Sequence, residues 1–353
     1  MKNSIELKQN LATLKIAEPK LRARDLAERL KISEAELTSL SVGENVTRLV
    51  GDWKSLLVGM KNVGYVMALT RNESCVHERK GIYDNIKFYG GEHHMGVAVN
   101  PDIDLRFLMN EWKYGLAVEI SRGKAGKLHA FQFFNGKGEA VHKIYCTPKS
   151  DLEAYENLVK LFTANEQIPI TDVDTSPLSK KSITPDEEID VTAFQESWKT
   201  LKDTHDFFGL IRKYNVTRIQ GFRLAPEGFT QKIDNLAVVR ALKNAVAQKV
   251  SIMCFLHSKG CIQIHTGKIR NLKLYGDWYN IMDKEFNLHL NLEDIAETWI
   301  VKKPTEDGIV TSLELFDKNG ELIVYFFGER KPGKPELREW RDIIKQVDLV
   351  SKI

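Results

Sequence analysis

The chain has 353 residues, 42% of them hydrophobic and 28% charged, and a net charge of +3. This length suits two domains better than a single core, and the composition excludes a disordered or membrane-embedded chain. No run approaches the apolar length of a membrane span, and the charged amino-terminal stretch lacks the apolar block of a secretory signal, which predicts a cytoplasmic protein. The small charge excess gives no argument for nucleic acid and allows a small dianionic ligand. Cys75, Cys146, Cys254 and Cys261 form no CxxC pair and predict buried free thiols.

In chain order, apolar residues at i, i+3, i+4 spacing predict helix over 18–40. Within it, 22–40 also reads as a DNA-binding helix-turn-helix, the alternative function being a DNA-binding regulator. Its second helix would present Ser33, Glu34, Glu36 and Thr38, acidic where a phosphate-facing helix needs bases. β-rich segments follow at 65–70, 85–90, 116–121 and 129–134, then a hairpin turn at Asn135–Gly138 and a helix at 151–165. The polar, Pro- and Ser-containing stretch 171–190 reads as a linker. Helical spacing resumes over 193–220, with Phe194, Trp198, Leu201, Phe208, Leu210 and Ile211 as its apolar stripe. Strands are predicted at 250–257, 271–276, 298–303 and 311–316, a turn at Asp317–Gly320, and a closing helix at 335–347. Strand–turn–strand signals dominate, so the sheets should be mostly antiparallel.

The second half repeats the first. Residues 75–90 lie over 261–276 at an offset of 186, sharing Cys, Gly, Asn, Lys, Tyr and Gly, with Met67 and Met253 on the same register. Phe134 to Glu139 matches Phe316 to Glu321 at 182, and 25–33 aligns loosely with 209–217 at 184. The expectation is therefore an α+β tandem structural repeat, each half a large, mostly antiparallel β-sheet flanked by helices. The unit boundaries are 1–170, a linker at 171–190, and 191–353.

Shared positions such as Cys75/Cys261 and Gly81/Gly267 read as structural, and reactive residues found in one copy are candidates for function. His77 faces Gln263, Arg79 faces His265 and Arg71 faces His257. His205, in Lys202-Asp-Thr-His205-Asp-Phe-Phe, falls opposite Leu21. Its aromatic neighbours suit ligation of iron in a flat apolar group, with Asp203 or Asp206 orienting the ring; a partly buried, hydrogen-bonded helix histidine is the plain alternative. Arg106 lies on an alternating strand pattern and faces either a cavity or solvent. His93-His94 reads as a solvated loop, and Arg330-Lys331-Pro-Gly-Lys334 as a basic turn able to hold carboxylates. There is no GxGxxG after a strand, no Walker loop, no GxSxG and no HExxH.

Three stretches of the second half carry a family resemblance: Lys202 to Leu210 with Val216-Thr-Arg218, Trp299 to Phe316, and Phe327 to Glu336. In the first half Arg71 to Tyr83 and Asp104-Leu-Arg106-Phe carry it too. Together they resemble the HemS/ChuS family of cytoplasmic haemin-degrading and haem-transport factors, over nearly the whole chain. The resemblance implies haem held in the second half between sheet and helix, with His205 as iron ligand and Arg106 as the distal partner. It implies Arg218, Arg330 and Lys303 at the propionates or lining the pocket, and His77 as a possible second haem site. Tyr325 and Phe327 depart from the polar pocket residues it would lead one to expect. The implied function is to sequester haem and deliver it to a haem oxygenase or reductase partner, or to degrade it.

Overall fold

The computed structural model describes residues 4–19, 21–90, 94–177, 182–331 and 333–351. Its first half holds helices α1 (Ser4–Ala17), α2 (Ala23–Leu30), α3 (Glu34–Ser39), α4 (Trp53–Val63) and α5 (Leu152–Phe162). The strands there are β1 (Val46–Leu49), β2 (Gly64–Arg71), β3 (Cys75–Ile82), β4 (Ile86–Phe88), β5 (Met95–Val99), β6 (Asp104–Leu108), β7 (Tyr114–Ser121), β8 (Lys127–Phe134) and β9 (Ala140–Ser150). The second half holds α6 (Val191–Lys199), α7 (Asp206–Lys213), α8 (Arg218–Leu224), α9 (Ala237–Ala247) and α10 (Arg338–Ser351). Its strands are β10 (Thr230–Ile233), β11 (Ser251–His257), β12 (Cys261–Lys268), β13 (Leu272–Tyr275), β14 (Trp278–Met282), β15 (Phe286–Asn291), β16 (Glu297–Thr305), β17 (Gly308–Phe316) and β18 (Leu322–Gly328).

The strands form two nine-stranded sheets. Six strands of the first half run in the order β1-β7-β8-β9-β2-β3, and six of the second in the order β10-β16-β17-β18-β11-β12. These are the same order in repeat-equivalent strands. The repeat extends to register: Met67 pairs with Tyr145 and Met253 with Phe327. Phe131 faces Ile144 and Leu313 faces Phe326, and both hairpins shift register at one place, between Phe133/Phe134 and Leu315/Phe316. The turns are built alike. Asn135 Oδ1 accepts the amides of Lys137 (3.0 Å) and Glu139 (2.9 Å), while Asp317 Oδ1 accepts those of Asn319 (2.8 Å) and Glu321 (2.9 Å). Each turn then needs a glycine at positive φ, Gly138 at +75° and Gly320 at +76°.

The chain divides into two compact units. Unit 1 comprises Met1–Arg71, His77–Pro177 and His257–Gln263; unit 2 comprises Asn72–Val76, Leu178–Leu256 and Ile264–Ile353. In unit 1, Leu56, Leu57, Met60 and Val63 of α4 and Tyr155 and Phe162 of α5 bury against Val66, Ala68, Phe131 and Ile144 of the sheet. In unit 2, Trp340, Ile343, Ile344 and Val347 of α10 supply the i, i+3, i+4, i+7 stripe, and the small face of α9 (Ala237, Ala241, Ala245) lets that helix approach closely. Burying a side chain of this size contributes about 1.5–3 kcal/mol, so these faces fix where the helices sit.

The predicted helix over 193–220 is three short helices. Asp206 Oδ2 accepts the backbone amides of Lys202 (3.1 Å) and Asp203 (2.9 Å), starting α7 afresh. Thr217 and Gln220 form a capping box that starts α8, as Ser33 and Glu36 do for α3. Helices α4 and α9 and strand β9 carried no reading from the sequence, while Tyr325 and Phe327 lie on a strand, β18, as read. All four cysteines are free and buried. Among the described residues no helix is long and apolar enough to cross a membrane.

Candidate functional site

His205 stands at the N-cap of α7, not inside a helix. Asp203 Oδ1 accepts the His205 backbone amide at 2.8 Å and lies 2.5 Å from the ring Nδ1. Asp203, rather than Asp206, therefore orients the imidazole, since Asp206 is committed to backbone amides. Burial opposes ionisation of Asp203, but the bonds from His205 and the charges of His205 and Arg330 hold its carboxyl below the usual value. With Nδ1–H directed at the carboxylate, the neutral imidazole presents the Nε2 lone pair, and the side chain is 84% exposed. Phe207 turns into the core and Phe208 stays 40% exposed. This reverses the sequence reading, which placed Phe208 in the buried stripe; the break before α7 rotates that stripe by one residue.

Arg218, Lys303 and Glu314 meet in the same unit. Glu314 Oε2 accepts from Arg218 Nε at 2.6 Å, and Oε1 accepts from Lys303 Nζ at 2.8 Å and from the Ser312 hydroxyl at 2.6 Å. The guanidinium lies 5.2 Å from the ring centre of Phe207, 5.6 Å from Phe208, 5.8 Å from Phe222 and 5.4 Å from Tyr325. Burial resists the Glu314 charge, but Arg218 and then Lys303 overcome it and hold the carboxyl down to about 2. Burial pushes the Lys303 ammonium down to about 8 against the pull of Glu314. Both cations share one carboxylate, which leaves the cluster one positive charge in excess, and the Lys303 side chain is only 3% exposed. The sequence reading missed Glu314. Its signal was there: a glutamate two residues after Ser312, on one face of an otherwise apolar strand.

Arg330 follows β18, where its charge acts on Asp203 and on Glu336. His205, Asp203, Arg218, Lys303, Glu314 and Arg330 all belong to unit 2.

Unit 1 holds the other two candidates. Arg106 on β6 is ion-paired with Asp104 and partly exposed. His77 on β3 is completely buried, and burial takes its imidazole down to about 3. It presents no face to a ligand, so unit 1 gives no support to a second site there. His142 is buried in the same unit, with Nδ1 2.9 Å from the Thr70 hydroxyl and Nε2 2.6 Å from the Tyr83 hydroxyl; Thr70 lies 3.7 Å from Cys261 Sγ. The residues repeat-equivalent to Thr70, Tyr83 and His142 are Leu256, Ile269 and Val324, all in the apolar core of unit 2.

The helix-turn-helix reading fails on α3. Glu34, expected to face outward, is buried and ion-paired with Lys143 at 2.5 Å and with Arg71. Ala35, Leu37 and Ser39 are buried with it, so this helix packs on its own sheet. Of the His93-His94 pair, His93 lies outside the described residues. A cavity of about 360 Å³ between β10, β16 and α10 is lined by Lys302, Arg338, Arg341 and Lys345 and contains none of the predicted residues.

The family described as the haemin-degrading HemS.ChuX domain matches residues 31–162 and again 215–347, once in each half. The chain belongs to the HemS family. It is 39% identical to the hemin transport protein HemS of Yersinia enterocolitica over 327 residues, 92% of each chain. Among solved structures it is similar to holo-PhuS, a heme-binding protein of Pseudomonas aeruginosa, at 42% identity and a TM-score of 0.93, covering 97% of this chain and 98% of that one. It is likewise similar to the heme-degrading enzyme ChuS of Escherichia coli O157:H7, at 34% identity and a TM-score of 0.88, covering 98% and 99%. The two HemS matches fall on the two repeats read from the sequence and leave 163–214, with His205, between them.

Proposed function

We propose that this chain binds haem in the cytoplasm as part of haem-iron use, with His205 Nε2 as the ligand to iron. The observation that carries the reading is the Asp203–His205 pair: an exposed imidazole whose other nitrogen is held by a carboxylate. That donor arrangement fits an imidazole that would hold haem iron, since the partner fixes both tautomer and ring orientation. Phe208 offers an exposed apolar edge next to it, and Arg330 supplies a cation for a carboxylate. Bound iron would supply redox and oxygen-binding chemistry; the chain's own part is to hold, orient and shield it.

In this reading Arg218 and Lys303 act as supports for the aromatic wall, because Glu314 already neutralises much of their charge. Arg106, in unit 1, remains a candidate haem-binding residue. Delivery to an oxygenase or reductase partner and degradation by the chain itself would use the same residues; relatives named for hemin transport and for heme degradation lend support to each.

The test is a haem titration followed by visible absorption, on wild type and on His205→Ala. A saturable one-to-one Soret shift that the variant loses or displaces is expected. A wild type that binds no haem overturns the proposal, and an unchanged spectrum in the variant moves the ligand elsewhere.

A further inference from the structure

Glu336 is a buried carboxylate outside the cluster built on Glu314. It closes the segment Gly328–Glu336, which carries Arg330, Lys331 and Lys334, and it is 3% exposed. Oε2 accepts the amide of Thr311 on β17 at 2.9 Å, and Oε1 accepts that of Gly328 on β18 at 3.2 Å. One side chain thereby fastens the basic segment to two adjacent strands. Gly328 backs directly onto it: a Cβ there would come within 2.6 Å of Trp340 Cβ and 3.0 Å of Glu336 Cγ. Farther out, the Gly333 amide donates to Asp307 Oδ2 at 3.0 Å.

Both oxygens accept N–H donors, so this geometry is that of the carboxylate. The charged groups acting on it are Arg341 from α10 and Arg330 from the segment itself, and the Arg330 charge also acts on Asp203. We propose that Glu336 is a positioning residue, which locks the Gly328–Glu336 segment to β17 and β18 and so sets Arg330 against the Asp203–His205 pair. The part concerning His205 rests on the haem reading above; the lock itself does not. A proton on Glu336 would remove an acceptor from one of the two amides and loosen the segment. Burial pushes that carboxyl up to about 8, opposed by the two amides and the two arginines, which puts the loosening in an accessible range.

The test starts on the haem-free full chain. Amide hydrogen exchange is read at Thr311 and Gly328, and trypsin cleavage after Arg330, where Lys331 and Lys334 are protected by the prolines that follow them. At pH 9, where wild-type Glu336 is ionised, both exchange and cleavage should rise about tenfold or more in Glu336→Gln, the scale of one lost charge-assisted bond. In wild type, cleavage corrected for the pH dependence of trypsin should rise as pH falls from 9 to 6, and Glu336→Gln should not show that rise. At the same pH, haem affinity should fall about tenfold in Glu336→Gln and by no more in Glu336→Gln/Arg330→Ala than in Arg330→Ala. Unchanged exchange and cleavage in Glu336→Gln, or a flat wild-type profile, overturns the lock. Additive losses of affinity overturn its link to Arg330. Absence of haem binding by wild type refutes the haem reading and with it the link to His205, while the haem-free exchange and cleavage still decide whether the lock exists.

Discussion

Replacing Glu314 with glutamine tests the buried cluster most directly. The side chain keeps its shape and loses its charge, leaving Arg218 and Lys303 buried without the carboxylate that holds both within 2.8 Å. Breaking a buried pair from one side costs about 3–5 kcal/mol, because the remaining charge is uncompensated. Lys303 provides the relief. Its ammonium is already pushed down to about 8 while Glu314 supports it, and without that support it falls further. Between that lowered value and the value in the unfolded chain, the unfolded state binds the extra proton, so stability rises with pH. The variant traverses a wider window than wild type, and its deficit should shrink as pH rises. Urea unfolding at pH 7 should show a loss of about 3–5 kcal/mol, smaller by about 1–3 kcal/mol at pH 9.5. Adding Lys303→Met should restore part of it at pH 7. A deficit below about 1 kcal/mol at pH 7, the range of an exposed pair, or one unaffected by pH, would refute the argument.

Three further outcomes follow from unit 1. His142→Val leaves the Tyr83 and Thr70 hydroxyls buried without their partner; a loss of about 2–5 kcal/mol in urea unfolding is expected, with part recovered in a triple variant adding Tyr83→Phe and Thr70→Val. His77 and His142 are both taken down to about 3 by burial, so the unfolded chain alone gains their protons between pH 6.5 and 3. Stability present above the unfolded value should drain as pH falls through that window, by up to about 4–5 kcal/mol per histidine. Glutamine at 142 should flatten the acid limb of a stability–pH curve by about one proton, and an unchanged slope would contradict the assignment. Glu34→Ala should destabilise by about 3–5 kcal/mol, whereas Glu36→Ala, which loses only half a capping box, should cost about 1 kcal/mol.

The repeat was legible because turns, glycines and capping residues act locally, and each leaves its mark within a few positions. Asn135 and Asp317, Gly138 and Gly320, and Ser33 and Thr217 each do one backbone task twice, which is why the offsets of 182 and 184 could be read at all. What could not be read depends on distance along the chain. Nothing near Glu314 in sequence announces Arg218, 96 positions earlier. Nothing near Glu34 announces Lys143, 109 positions later. Lys303 could be picked out as a cation, but only the fold shows that its charge is already taken. Strand β9 escaped because residues buried on both faces do not alternate, and α9 went unread although it buries Val238 and Leu242 beside three alanines. His205 was singled out by residue type and by its absence from the other copy. Its setting was misread, because two aspartates broke a helix that periodicity would have carried through.

The two halves solve one problem with opposite signs. Each rests a short capped helix on its sheet and buries a charge where they meet. In unit 1 the first residue of that helix is Glu34, and Lys143 and Arg71 come from the sheet. In unit 2 the first residue is Arg218, and the sheet supplies Glu314. At the repeat offsets Glu34 answers to Arg218, Gln132 to Glu314 and Lys143 to Tyr325. Helix α8 on the first sheet would set Arg218 toward Lys143 and Arg71, placing like charges together in a low-dielectric setting. The helix that bears a glutamate at this joint is preceded by Leu21, and the one that bears an arginine is preceded by His205.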